Sequence, residues 1–165
     1  MRVLDFGGAS GYFRNYVDTF FDGKIRTDWL IVETEQQVSH NANLGLSDVR
    51  YSTTIGDQAF DIALFSGSLH YIEKWMLPLR QTNAELIFIA RTPLGSSNQP
   101  FLQRVMHEGR TLAYPGQVIV EDALFAELRR THQMIARWDF RSNLLEMGWY
   151  DAPATLWERG AKLSA

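Results

Sequence analysis

The sequence contains no cysteine, which excludes disulfides, thiolate zinc sites and a cysteine nucleophile, and fits a reducing compartment. Long hydrophobic runs are also missing. No window approaches the roughly 18 consecutive apolar residues of a membrane span. The first residues lack the charged region and apolar stretch of a signal peptide. Charge of one sign is scarce: 16 Lys and Arg against 19 Asp and Glu give a formal net charge of −3. That balance favours no broad phosphate-binding surface, so no nucleic-acid partner is expected. His40, His70, His107 and His132 show no H-x-x-x-H or acid–histidine spacing, so no metal site is expected either. The expectation is a soluble cytoplasmic protein.

What is present suffices for one core. The chain has 165 residues, of which 45% are hydrophobic and 13% aromatic, and reads as a single domain over 1–165. Strand-like runs occur at Val3 to Phe6, Trp29 to Glu33, Asp61 to Ser66 and Leu86 to Arg91, with a less regular one at Val49 to Ile55. "WLIVE", "DIALFS" and "LIFIAR" are nearly continuous apolar segments, as in parallel strands covered on both faces. Helical segments are expected at Tyr12 to Phe21, Glu35 to Leu44 and Ile72 to Gln81, the last shortened or kinked by Pro78. "EDALFAELRRT" orders acids before arginines, which complements a helix dipole. "QMIARWDF" and "GWYDAPATLWERG" read as two closing strands. Thr92 to Gly116 shows no clear period and reads as a lid or substrate loop. The fold class is therefore α/β, with a mostly parallel sheet flanked by helices and an antiparallel strand near the carboxyl terminus.

The stretch "RVLDFGGASGYF" combines a short strand, an acid and three glycines leading into a helix. Unpaired N–H groups at a helix start, approached over glycines, make a ligand cradle. The spacing of Gly7, Gly8 and Gly11 fails the dinucleotide pattern G-x-G-x-x-G, because Ala9 stands at its second glycine. Asp5 ahead of the turn also suits a cation better than a pyrophosphate. At the end of "WLIVE", Glu33 is placed to accept hydrogen bonds from ribose hydroxyls. "FDIALFSGSLHYI" brings a third strand end, with Ser66, Gly67 and Ser68, to the same carboxyl edge.

"VLDFGGASGYF", "LIVE" and "DIALFSGSLHYIEKW" resemble the successive nucleotide-site motifs of class I S-adenosylmethionine-dependent methyltransferases. "ARTPL", Gln103 and "AYPG" narrow the resemblance to a bacterial family associated with surface-polysaccharide gene clusters. The resemblance implies a Rossmann-like fold, S-adenosylmethionine as cofactor, S-adenosylhomocysteine as product, and a small-molecule or saccharide acceptor. Two departures stand out: Ala9 replaces the middle glycine, and the chain starts on the first strand, without the helical segment that usually precedes it.

On this resemblance Asp5 receives the methionine ammonium, and Gly7, Gly8 and Gly11 lie against the cofactor. Glu33 takes the ribose, while Ser66, Gly67 and Ser68 border the methionyl half. Each also has a plainer reading, as helix cap, tight turn or strand-end acid. His70 is the candidate base for an attacking hydroxyl or amine, or a packed histidine without catalysis. Tyr71, Arg91, Gln103 and Tyr114 form a candidate substrate shell, with Arg91 suited to an anionic group or to a structural ion pair. Asp57 reads as a surface-loop residue, and the tryptophans as core or interface. Homodimerisation is open. The competing functions are a catalytically inactive binding module of the same fold and, with the wrong glycine spacing, a nicotinamide-dependent oxidoreductase. A base-methylating enzyme lacks its proline-proline-aromatic motif here.

Overall fold

The computed structural model describes residues 1–107, 109–144 and 148–160; for 107, 142–144, 148 and 149 it describes the backbone alone. Five strands run parallel: β1 (Arg2–Phe6), β2 (Asp28–Val32), β3 (Val49–Ser52), β4 (Ala59–Ser66) and β5 (Asn83–Ala90). Between them lie α1 (Tyr12–Phe20), α2 (Glu35–Asn41), a 3-10 turn (Leu69–Tyr71) and α3 (Met76–Gln81). Five further strands are β6 (Leu94–Gly95), β7 (Gln99–His107), β8 (Arg110–Val120), β9 (His132–Trp138) and β10 (Arg141–Leu144). α4 (Glu121–Leu128) separates β8 from β9, and β11 (Gly148–Asp151) and β12 (Ala154–Arg159) follow as the last strands among the described residues.

The main sheet has the order β3-β2-β1-β4-β5-β12-β9, with β12 antiparallel to both neighbours. From β1 the chain first builds outward through β2 and β3, then returns to add β4 and β5 on the other side. The order therefore reverses between β1 and β4, and a crevice opens beyond the carboxyl ends of those two strands, where open α/β sheets bind ligands.

Alternation along each strand feeds two cores. Leu4, Leu30, Val32, Phe65, Ile87 and Ile89 point to one face and pack with Leu124, Phe125 and Trp157. Val3, Trp29, Ile31 and Val49 point to the other, where Phe13 and Val17 of α1 cover them. Burying each such side chain stabilises by roughly 1.5–3 kcal/mol. Both faces are covered, which is why these segments read as nearly unbroken apolar runs. Trp29, Trp75 and Trp157 are buried, whereas Trp138 is exposed; the side chain of Trp149 lies outside the described residues.

Three expectations need correction. Thr92 to Gly116 is no loop: β7 and β8 form a long antiparallel hairpin in a second sheet, ordered β10-β11-β6-β8-β7. Pro100 fits because β7 is the edge of that sheet, and Pro115 lies where β8 has a partner on one side only, since β6 meets it at Ile119 and Val120. "GWYDAPATLWERG" breaks at Ala152 and Pro153 into β11 and β12, which belong to different sheets. The helix expected from Ile72 starts at Met76 instead, leaving Pro78 in its first turn, where a missing N–H costs nothing.

The hairpin is fastened over the crevice. The Gln117 side chain donates to the Ile72 carbonyl at 2.7 Å, and the Tyr71 hydroxyl donates to Gln103 Oε1. Phe101 packs over Gly116, where a Cβ would fall 2.6 Å from the ring. Gly116→Ala should therefore displace Phe101 and lower stability by about 1–3 kcal/mol in urea unfolding, the usual penalty of overpacking.

Candidate active site

The glycine turn begins where β1 ends. Gly7 donates its N–H to the Val32 carbonyl at 2.8 Å and has φ +75°, and a Cβ there would lie 2.5 Å from Ser68 Cβ. A side chain at Gly8 would collide with the Asp5 carboxylate. Glycine is thus required at both positions, for contact with what lies beneath. Ala9 holds a left-handed φ of 51° without glycine's freedom, and three side chains keep it there. Glu33 Oε1 accepts from Ala9 N–H at 2.9 Å, Asn41 Nδ2 donates to the Ala9 carbonyl at 2.7 Å, and the Tyr51 hydroxyl donates to the Ser10 carbonyl at 3.1 Å. Gly11, with φ +89°, sits 3.2 Å from Ile31 Cδ1 by its would-be Cβ and seats α1 on the sheet.

Beneath the turn, Asp5 is 1% exposed and its Oδ2 has no hydrogen-bond partner. Burial, and secondly the neighbouring Glu33, push its pKa up from 3.8 to about 7. Two more buried orphans follow on the adjoining turn: Ser68 Oγ and His70 Nδ1. Unpaired polar atoms are expensive to bury and call for a partner. Here three of them occupy the ends of β1 and β4.

A cavity of about 590 Å³ opens on this edge. Phe6, Gly7, Val32, Glu33, Thr34 and Thr53 line one half. Gly67, Ser68, Tyr71, Ile72, Val105 and Tyr114 line the other, so the hairpin supplies the roof. Of the residues expected from the sequence, Gly7, Glu33, Gly67, Ser68, Tyr71 and Tyr114 meet in this space. Gln103 stands opposite Tyr114 in the hairpin and bonds to Tyr71. Asp5 and Gly8 lie below the floor, and Ser66 ends β4 outside the lining residues. Asp57 borders two neighbouring clefts, one of which shares Phe6, Val32 and Thr53 with this cavity.

His70 is buried on the 3-10 turn rather than displayed in the cavity, its ring 3.9 Å from that of Tyr71 and 5.9 Å from that of Phe101. Burial and the charge of Arg91 lower its pKa to about 4. Arg91 directly follows β5 in a left-handed conformation, φ 54°, with its side chain along Gly67. Six lining residues are not among those expected: Phe6, Val32, Thr34, Thr53, Ile72 and Val105. Phe6 directly precedes the glycines and was in view, whereas Val105 is recognisable only once the hairpin is known.

No protein-family model matches the sequence, and no curated protein matches it. Solved structures do. The chain has the Rossmann-like fold of S-adenosylmethionine-dependent methyltransferases. It superposes with TM-score 0.66 on such an enzyme from Methanosarcina mazei, at 11% identity, covering 96% of this chain and 92% of that one. The 1,6-didemethyltoxoflavin-N1-methyltransferase of Burkholderia thailandensis, with 1,6-didemethyltoxoflavin and S-adenosylhomocysteine bound, matches with TM-score 0.58 at 15% identity, over 97% and 71%. A pericyclic reaction enzyme also matches, with TM-score 0.61 at 11% identity, over 96% of this chain and 42% of that one.

Asp5 makes stability depend on pH. Its folded pKa of about 7 exceeds the unfolded 3.8, so the native state holds the extra proton between those values. Its contribution is full below about pH 4 and is lost as pH rises through 7. Asp5→Asn should flatten that slope and unfold at higher urea than the wild type at pH 8.

Proposed function

We propose that this chain binds S-adenosylmethionine in the cavity and transfers its methyl group to a small-molecule acceptor. The observation that carries the reading is the buried, partnerless Asp5 carboxylate under a glycine turn. Such a group is a liability in an empty fold and an asset beside a cation. An ammonium meets it by charge, whereas a pyrophosphate would be repelled. This favours S-adenosylmethionine over a nicotinamide dinucleotide.

The donor set fits the cofactor along its length. Ser68 Oγ, which lines the cavity, offers the methionyl ammonium an acceptor, and Asp5 just below the lining attracts it by charge. Glu33 already accepts from the N–H groups of Ala9 and Thr34, the latter at 3.1 Å, and keeps lone pairs for ribose hydroxyls. Phe6, Val32 and Thr53 supply an apolar wall for the adenine. When bound, the sulfonium provides an already electrophilic methyl group. The protein's work is then to hold the acceptor in line with it, and positioning of that kind can lower a barrier by several kcal/mol. Tyr71, fixed by Gln103, and Tyr114 form the acceptor wall. His70 stays neutral at pH 7 but is buried outside the lining residues, so it is given no part in proton transfer.

Calorimetry should show S-adenosylhomocysteine binding to the wild type, weakened about 10-fold or more by Asp5→Asn and by Glu33→Gln, the usual cost of losing a charge-assisted bond. Affinity should also fall as pH drops below about 7, when Asp5 takes up its proton. His70→Asn should leave that binding unchanged. A folded wild-type sample that binds no S-adenosylhomocysteine would refute the proposal. Binding without turnover on any acceptor would favour the inactive-module alternative.

A further inference from the structure

Arg91 directly follows β5 and stands beside the cavity without being one of its lining residues. Arg80 reaches Glu127 at 2.7 Å, Arg137 reaches Asp139 at 2.7 Å, and Arg14 reaches Asp48 at 2.8 Å. Among the described residues, by contrast, no carboxylate pairs with Arg91. It also holds φ 54°, a left-handed conformation that costs a non-glycine residue on the order of 1 kcal/mol. Arg91 is exposed, as are Arg2, Arg26 and Arg110, whose side chains also pair with no carboxylate among the described residues, so it is the left-handed backbone that sets its position apart.

The Arg91 side chain runs along Gly67, with Nε and Cζ 3.8 and 3.9 Å from where a Cβ at residue 67 would stand. Gly67 is itself part of the cavity wall, and its lack of a side chain leaves the guanidinium next to that space. The positive charge is felt by both His70 and Tyr71. His70 Nδ1 is buried there without a partner.

The acceptor half of the cavity is largely apolar, with the Tyr71 and Tyr114 rings inclined at 61° to each other. Tyr71, Val105 and Tyr114 retain 40%, 39% and 44% of their surface, and the Tyr71 and Tyr114 rings lie 6.3 Å apart. Glu33 is the single carboxylate among the lining residues, and it belongs to the opposite half. A sugar would need several hydrogen-bonding side chains around its hydroxyls. This wall offers two tyrosine hydroxyls, one of them engaged by Gln103, and one serine.

We propose that the methyl acceptor is a flat aromatic acid, seated against Tyr71 and Tyr114 with its anionic group on Arg91. This rests on the methyl-transfer reading of the same cavity. The rings supply apolar area and stacking, and the guanidinium supplies a charge-assisted bond that a neutral analogue cannot form. Arg91 thus determines specificity, while Asp5 and Glu33 hold the cofactor.

The probes are 4-hydroxybenzoate, indole-2-carboxylate, their methyl esters and glucuronate, titrated calorimetrically with and without saturating S-adenosylhomocysteine. At least one aromatic acid should bind about tenfold more tightly than its ester and more tightly than glucuronate. Arg91→Asn, which tolerates the left-handed backbone, should bring the acid-to-ester ratio close to one, and Arg91→Lys should restore part of it. S-adenosylhomocysteine affinity should be unchanged in both variants. Failure of that cofactor product to bind the wild type would count against methyl transfer, while the acid-to-ester ratio without it still tests Arg91. Equal binding of acids and esters, no binding of either acid, a ratio indifferent to Arg91→Asn, or tighter binding of glucuronate would each overturn this inference.

Discussion

A carboxylate sealed beneath two glycines, with one oxygen unpaired, is the constraint around which this site is built. Asp5 sits at the end of β1 because that strand is central, and a central strand end is buried on both faces. The same placement that desolvates it puts it at the reversal of strand order. Gly8 lies directly over it and Gly7 directly beside Ser68, so any larger residue at either position would close the approach. Stability is sacrificed here for a group that has no internal use, which is how binding sites commonly differ from the cores supporting them.

The rest of the nucleotide edge serves to hold the turn over that acid. Glu33 directly follows β2, Asn41 ends α2 and Tyr51 lies on β3, and each bonds the backbone of Ala9 or Ser10. Gln37 in turn donates to Asn41 Oδ1 at 3.0 Å, fixing the amide that supports Ala9. This network explains how alanine occupies a left-handed position where glycine would rest without strain. It also gives Glu33 two duties, since the same carboxylate faces the cavity and anchors the loop. The roof has a separate origin. β7 and β8 are inserted between β5 and α4, and touch the main fold through Phe101, Gln103 and Gln117. The hairpin contributes Val105 and Tyr114 to the cavity, and the other lining residues come from the parallel-sheet part of the chain.

The parallel core was legible in the sequence because its physics is local and strong. "WLIVE", "DIALFS" and "LIFIAR" are apolar on consecutive residues, and only a strand covered on both faces asks for that. The glycine turn, Glu33 and the Ser66–Gly67–Ser68 bend could be placed because the topology puts successive parallel strand ends on one edge. The hairpin was not legible. Most of β8 is exposed, so its side chains show no alternation, and Pro100, Pro115 and Gly116 mimic a loop. Edge pairing and a one-sided neighbour make those prolines harmless, but neither condition can be read from the residues themselves. His70 illustrates the opposite limit. Its type suggested a base, while its burial against Tyr71 and Phe101, close to Arg91, produces a neutral imidazole of low basicity.

The central claim is that Asp5 awaits a cation. With its pKa pushed up to about 7, that carboxylate is partly protonated at neutral pH, and an arriving ammonium must displace the proton. Titrating S-adenosylhomocysteine calorimetrically in buffers of different ionisation enthalpy counts the protons exchanged. On this account, proton release on binding should be measurable at pH 7, larger at pH 6 and absent in Asp5→Asn. Binding with no proton release at either pH, or with the same release in the variant, would contradict it.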